Sequence, residues 1–391
     1  MIPRDLSSKL SELAQKFPVI AILGPRQSGK TTLTKSVFNN HVYLSLEDMN
    51  TFNFAQKDPY TFFDTHHNKN GIIIDEIQEI PNLMSYIQTY VDNNDVRGYF
   101  IITGSQNILL NEAISQTLAG RVAILTLLPL CVNELNQSNL LPNKTETLLF
   151  NGSYPRIYAH EIRPIDWYPN YIKTYLERDV RQIKNVHNLS TFQRFIGLCA
   201  GRIGQILSVS SLSSDCGIDV KTVNSWLSIL EASYLIFLLQ PHNKNFNKRL
   251  IKSPKIYFYD TGLACSLLGI ESSEVLANHY LRGGLFESFI LSEFMKNRFN
   301  KGLNPNIYFW RDKLGHEIDC IADWNGQLVA TEIKSGRTIS QDFFEGLNYW
   351  TELSNNPKSN NFVVYGGNDD QKRSAGSLVS WKNIEGIFNK F

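Results

Sequence analysis

Gly24-Pro25-Arg26-Gln27-Ser28-Gly29-Lys30-Thr31 decides how the first third of this chain folds. It spells a complete phosphate-binding loop, and both flanks agree with it. The apolar run from Pro18 to Leu23 reads as a buried strand, and Lys30 to Phe38 reads as the helix that follows. Glycines let backbone N–H groups converge on phosphate oxygens, and the helix N-terminus adds partial positive charge. In that geometry Lys30 reaches the β- and γ-phosphates, and the Thr31 hydroxyl ligates Mg²⁺. The expected nucleotide contacts are Gly24, Pro25, Arg26, Gln27, Ser28, Gly29, Lys30, Thr31 and Thr32.

Downstream, Gly71-Ile72-Ile73-Ile74-Asp75-Glu76 is an apolar strand ending on two carboxylates. Beside a phosphate loop, Asp75 offers a metal ligand and Glu76 a base for the attacking water. A base has no role in passive binding, so Glu76 points to hydrolysis of ATP. A third strand, Tyr99 to Thr103, runs into Gly104-Ser105-Gln106. Ser105, or failing that Gln106, is placed to contact the water or the γ-phosphate. Arg121 precedes another apolar stretch and reads either as an arginine finger or γ-phosphate sensor, or as a solvated loop residue.

The chain of 391 residues is too long for one ordinary core. Its 42% hydrophobic and 19% charged residues describe a folded protein, not a disordered one. A net charge of +1 provides no global nucleic-acid signature, so any basic surface is local. The best such stretch is Lys244, Lys248, Arg249, Lys252 and Lys255, unless it is simply a solvated loop. The five cysteines are scattered without zinc-ligand spacing, which with the nucleotide motif fits a reducing cytoplasm. No apolar run reaches membrane-spanning length, so no membrane partner is expected.

Residues 1–130 alternate strand and helix patterns, which argues for an α/β domain with a parallel sheet. Val42 to Leu46 reads as an extra strand between the phosphate loop and Asp75, an arrangement of the ATPase branch that includes AAA+ proteins. Ligands of such sheets bind at the carboxyl ends of the strands, where these motifs fall. Residues 131–190 read as a helical lid. Arg178 there is placed either to approach a nucleotide or to pair with a local acid. Residues 191–265 read as a winged helix: helix Ser208–Cys216, a turn, a helix from Val220 capped by Asp219, then strands 235–239 and 255–259. Lys221, Thr222, Asn224 and Ser225 start the second helix, where a reading helix meets bases. Winged helices also serve as spacers or protein-contact modules.

The last segment, 266–391, carries an independent constellation. Glu287 lies on a helix, Asp319 on a strand, and Glu332-Ile333-Lys334 on the next strand after a turn at 324–327. Asp319, Glu332 and Glu287 offer oxygen ligands to Mg²⁺ or Mn²⁺. Glu332 and Lys334 share one face because strand side chains alternate. Such a metal polarises a phosphodiester while Lys334 positions the attacking water. Gln341 and Tyr349 fall on the following helix as supports, and His316 reads as a turn residue. The open alternatives are a non-cleaving relic that still binds nucleic acid and a set of charge pairs at a sheet end.

Taken together these residues resemble a prokaryotic family of AAA-type ATPases with a GPRQ-x-GKT loop. The C-terminal half of that family is a domain of unknown function related to PD-(D/E)xK nucleases. The resemblance runs through Gly24–Thr31, Asp75-Glu76-Ile77-Gln78, Thr103-Gly104-Ser105, Leu118–Arg121, Tyr175–Asp179, and the Glu287, Asp319, Glu332-x-Lys334 set. It implies an AAA+ core, a winged-helix segment and a restriction-endonuclease-like C-terminal domain. Asn151-Gly152-Ser153-Tyr154-Pro155 departs from the family's usual Gly-Gly-Tyr-Pro. The expected function is an ATPase that controls a nuclease-like domain acting on DNA, in cis or as a homo-oligomer. The alternatives are a nucleotide-dependent switch, or a DNA-binding ATPase with a C-terminal docking module.

Overall fold

The computed structural model describes residues 1–105, 114, 116–175, 188–242 and 251–390, the side chains of Tyr175 and Gln341 excepted. Gln106, Arg178, Lys244, Lys248 and Arg249 therefore lie outside the described residues. The chain divides into two compact units, Met1–Leu130 with Ala232–Tyr234 and Arg298–Leu303, and the remainder.

The first unit is built on five parallel strands: β1 (Val19–Gly24), β2 (Val42–Ser45), β3 (Ile72–Asp75), β4 (Phe100–Ser105) and β5 (Val122–Thr126). Their order is β2-β3-β4-β1-β5. The strand next to β1 on the β3 side is thus β4, and Val42–Ser45 forms the sheet edge. Strands buried on both faces read as unbroken apolar runs rather than alternating ones. Ile20 and Ile22 pack on one face with Leu6, Leu10 and Leu33. Val19, Ala21 and Leu23 pack on the other with Phe62, Leu83 and Ile87. Truncating such a fully buried isoleucine to alanine costs about 2–5 kcal/mol.

In the second unit, helices Leu189–Ala200, Val209–Cys216 and Val220–Ala232 precede a two-stranded antiparallel hairpin, β6 (Ile236–Leu239) and β7 (Lys255–Phe258). Ser208 accepts from the Ser211 N–H at the start of one helix, and Asp219 accepts from the Thr222 N–H at the start of the next. Gly217, at φ +72°, makes the turn between them. After the long helix Arg282–Asn300 comes a six-stranded sheet. Its strands are β8 (Ile307–Arg311), β9 (Glu317–Trp324), β10 (Gln327–Lys334), β11 (Asn361–Tyr365), β12 (Gln371–Arg373) and β13 (Gly376–Ser380), in the order β12-β13-β11-β10-β9-β8. β8, β9 and β10 form an antiparallel meander. β11 runs parallel to β10 after the helix Glu345–Ser354. Asn325 and Gly326, both at positive φ, turn β9 into β10.

The segments read separately as lid, winged helix and nuclease-like domain fall in this one unit. Buried polar bonds tie them. Asp260 accepts from the Ser153 N–H (2.7 Å), the Tyr168 hydroxyl (2.7 Å) and the Leu263 N–H (2.8 Å). Glu293 accepts from the Val132 N–H at 2.8 Å. Separating these partners would leave buried acceptors unmatched, at about 1–3 kcal/mol each.

Candidate functional site

Two constellations stand out, one in each unit. In the first, β1 ends at Gly24, whose φ of +153° and close approach to the Leu127 carbonyl exclude any side chain. Gln27 and Gly29 are also at positive φ, and Gly29 caps the helix Lys30–Val37. These three residues curl the chain back so that the helix starts at the loop. Lys30 Nζ donates to the carbonyls of Gly24 (3.1 Å) and Pro25 (2.9 Å). Ser28 Oγ is fully buried and has no hydrogen-bond partner among the described residues, an orphan that a phosphate oxygen would satisfy.

Thr31 Oγ1 donates to Asp75, at 3.1 Å from Oδ1 and 2.9 Å from Oδ2. Asp75 also accepts from the hydroxyls of Tyr43 (2.7 Å) and Thr103. This is a hard-oxygen donor set of the kind Mg²⁺ takes together with phosphate. Glu76 sits in the left-handed region at φ +59°, a costly conformation for a non-glycine residue and one that clusters at working sites. Its N–H donates to Thr103 Oγ1 (3.4 Å), and its carboxylate accepts from Gln78 Nε2. Burial pushes the Glu76 carboxyl up, but the charge of Lys30, the Gln78 bond and the charge of Arg26 outweigh it and hold it below its usual value. Glu76 is therefore an anion at neutral pH. Ser105 is level with Gly24 across the sheet, and its hydroxyl accepts from Gln78 Nε2 at 3.2 Å.

The structure thus gathers Gly24 to Thr31, Asp75, Glu76 and Ser105 at one end of the sheet. Arg121 is not among them. It pairs with Asp92 (Nε to Oδ1 2.5 Å, Nη2 to Oδ2 2.9 Å) just before β5. Val122 pairs with Val19, five residues before Gly24. At about 3.3 Å per residue, Arg121 lies at least about 16 Å from the loop of its own chain. Apolar patterning around it said nothing of which strand end it occupies. Thr32 is exposed on the helix behind the loop. Sequence reading missed Tyr43 and Arg4. Arg4 donates to the carbonyls of Ser28 and Leu128, both at 2.6 Å. Only Tyr43 carried a signal, a polar group on a strand already assigned to the sheet.

The second constellation joins the Arg282–Asn300 helix, β7, β9 and β10. Lys334 Nζ lies 2.6 Å from Glu332 Oε2 and 4.0 Å from Asp319 Oδ2. Asp319 Oδ2 accepts from the Ile333 N–H at 2.8 Å. Glu287 Oε1 accepts from Lys255 Nζ (3.1 Å) and from the Tyr257 hydroxyl. Lys255 also pairs with Glu317, whose other oxygen lies 3.2 Å from Arg311 Nη1. Burial first, then the charge of Asp319, pushes Glu287 up to about 7 and Glu332 up to about 8. Buried carboxylates that repel one another in this way are the donor set a divalent cation relieves. Among the described residues, however, the oxygens of Glu287, Asp319 and Glu332 do not gather within 4.8 Å of one another.

Lys255 corrects the sequence reading most sharply. In a stretch that reads as a local basic surface or else a solvated loop, it is 4% exposed and ion-paired. Lys255 opens β7, and from there its side chain reaches the acids. Glu317 and Tyr257 were likewise missed, since neither stands in a recognisable spacing. Tyr349 supports the neighbouring turn instead of the acids: its ring stacks on His316 at 4.0 Å, and His316 Nδ1 lies 2.9 Å from Asp312 Oδ2. Lys221, Asn224 and Ser225 are exposed at the start of the Val220–Ala232 helix. Thr222 is not open in the same way, because its hydroxyl donates to Asp219 at 2.6 Å.

Residues 16–136 match an AAA domain. Residues 142–274 and 282–384 match two domains of unknown function, DUF8612 and DUF4143. The uncharacterized proteins Rv2008c of Mycobacterium tuberculosis and Mb2031c of Mycobacterium bovis are each 30% identical to this chain over 342 residues, covering 86% of it and 75% of their own length. Among solved structures, the Walker-type ATPase PABY2304 of Pyrococcus abyssi overlaps 68% of this chain and 96% of its own, at 14% identity and a TM-score of 0.46. No helix among the described residues is long and apolar enough to cross a membrane.

Proposed function

The chain belongs to the family of the uncharacterized mycobacterial proteins Rv2008c and Mb2031c, and on that premise we propose that it is a Mg²⁺-dependent AAA ATPase controlling a nuclease-like site that acts on DNA. One observation carries the first half: Lys30, Thr31, Asp75 and an ionised Glu76 meet at a single sheet end. Backbone N–H groups of Gly24–Lys30 cradle the phosphates and Lys30 neutralises the β,γ-bridge. Thr31 and Asp75 would hold Mg²⁺, which draws charge from the transferring phosphoryl group. Glu76 accepts a proton from the attacking water, with Gln78 and Ser105 fixing its carboxylate. Purified protein should release phosphate from ATP in the cytoplasm-like buffer of a standard assay. Lys30→Ala and Glu76→Gln should each abolish release, and unchanged turnover in both would end the reading.

The nuclease half rests on element order and chemistry. Glu287 is on a helix, Asp319 on a strand and Glu332-x-Lys334 on the next, antiparallel strand, which supports the helix–strand–strand arrangement this reading needs. Asp319, Glu332 and Glu287 would hold Mg²⁺ or Mn²⁺, and Lys334 would position water. DNA would be engaged through Lys221 and Asn224; losing the Lys221 charge should reduce the salt dependence of binding. With Arg121 tied up at the far sheet end, an arginine finger would come from a second copy, a homo-oligomer. Plasmid, linear and single-stranded DNA incubated with ATP and Mn²⁺ provide the assay. Cleavage that survives Asp319→Ala would overturn the site assignment.

The second reading is a nucleotide-dependent switch with a docking C-terminal domain. Its support is that the three carboxylates do not converge and that lysines fill the space among them. Absence of cleavage together with absence of Asp319-dependent metal binding would favour it.

A further inference from the structure

The acidic site contains a cation of its own. Lys255 Nζ bonds Glu287 Oε1 at 3.1 Å and pairs with Glu317, and its side chain is 5% exposed. Tyr257, two residues along the same strand, donates to the same Glu287 oxygen. Both residues belong to β7, in the segment matching DUF8612, whereas every carboxylate of the site falls in the segment matching DUF4143. A buried ammonium without such partners would be driven neutral; here the surrounding acids keep it charged.

The pairing has a steric and an electrostatic consequence. Glu287 Oε1 is committed to two donors on β7, while Lys334 lies 2.6 Å from Glu332 and 4.0 Å from Asp319. The two lysines thus engage the carboxylates separately rather than at one point. A divalent cation entering beside a fixed ammonium also meets repulsion in a medium far less screening than water.

We propose that Lys255 is a binding residue of the acidic site, an internal cation that holds Glu287 away from Asp319 and Glu332 and thereby sets the site's affinity for divalent metal. This rests on the reading that Glu287, Asp319 and Glu332 take such a metal. Removing the ammonium frees the Glu287 oxygen and removes one positive charge, so metal binds more tightly. Lys255 acts here as a competitor of the ion, unlike Lys334, whose proposed role is to position the attacking water.

The test uses full-length, nucleotide-free protein and Mn²⁺ alone, with bound ion followed by calorimetry and by electron paramagnetic resonance. Asp319→Ala defines the part of the binding that belongs to this site. Lys255→Met should bind Mn²⁺ at that site about tenfold more tightly than the unaltered chain. Because Lys255→Met strands Glu287 and Glu317, Lys255→Met/Glu317→Gln serves as the second variant: it removes both charges of the pair and leaves the three ligands in place. It should still bind more tightly than the unaltered chain, by the share of the gain that comes from the freed Glu287 oxygen. Affinity equal to or weaker than that of the unaltered chain in the double variant overturns the role of Lys255 while leaving the metal site standing. If no Asp319-dependent Mn²⁺ binding occurs in any of the proteins, the metal reading itself falls, and the role of Lys255 with it.

Discussion

Thr31 Oγ1 lies 2.9 Å from Asp75 Oδ2, so the last hydroxyl of the phosphate loop already touches the carboxylate that ends β3. That contact measures how little the site must rearrange for one cation to reach both oxygens. Asp75→Ala should leave ATP binding in EDTA intact while Mg²⁺-dependent hydrolysis falls about 10²–10³-fold, the scale of losing one preorganised electrostatic contact in the transition state. Fluorescent-nucleotide titration and phosphate release read the two effects separately.

Glu76 should leave its mark in the pH profile. A base whose pKa is held below the ordinary glutamate value is lost only when pH falls through that lowered value. Turnover plotted against pH should therefore stay flat on its acid side through the range in which a free glutamate titrates. Glu76→Gln should cut turnover about 10²–10⁴-fold with nucleotide affinity retained. An acid limb near neutrality would contradict the electrostatics of Lys30 and Arg26.

Arg121→Ala should not change affinity for ATP, because the guanidinium is engaged with Asp92 at the opposite sheet end. Melting temperature should shift little, as exposed ion pairs contribute little. A loss of turnover that grows with protein concentration would show delivery of this arginine to another copy.

Burial and Asp319 raise Glu287 to about 7 and Glu332 to about 8, from 4.5 for an ordinary glutamate. Between those values the folded chain holds more protons than the unfolded one, so stability falls as pH rises from about 5 to about 8. Metal-free protein should melt at a lower temperature at pH 8 than at pH 6, and Glu332→Gln should flatten that slope. A slope of the opposite sign in Glu332→Gln relative to the unaltered chain would refute the shared repulsion.

What the sequence carried and what it hid follow from the range of the interactions. The phosphate loop, the Asp75-Glu76 pair and the Glu332-x-Lys334 pair are local spacings, so they were readable before any fold was known. The helices at 209–216 and 220–232 were readable too, from capping and periodicity. Lys255 was misplaced because its partners lie 32 and 62 positions away along the chain, and a lysine in a charged stretch looks the same solvated or buried. The role of Arg121 stays open in the sequence because adjacency to a strand does not say at which end of the sheet the residue emerges. Spatial order also escaped: β4, not the earlier strand Val42–Ser45, flanks β1 on the side of Asp75.

Gly346 was invisible as a site residue, yet a Cβ there would stand 2.5 Å from Glu332 Oε1. The glycine opens the helix Glu345–Ser354 to the carboxylate. Gly346→Ala should displace Glu332 and weaken Asp319-dependent Mn²⁺ binding about tenfold, while helix content by circular dichroism holds or rises slightly, as alanine favours helix. Unchanged Mn²⁺ affinity would mean that Glu332 is not a ligand.

Arg4 grips Ser28 and Leu128 by their carbonyls, and it does so from outside the stretch that matches the AAA domain. An expression fragment trimmed to that match would keep every motif glycine and lose the clasp that sets the peptide plane between Ser28 and Gly29. The useful boundary for dissecting this protein is therefore drawn by a guanidinium, twelve residues upstream of where the AAA-domain match begins.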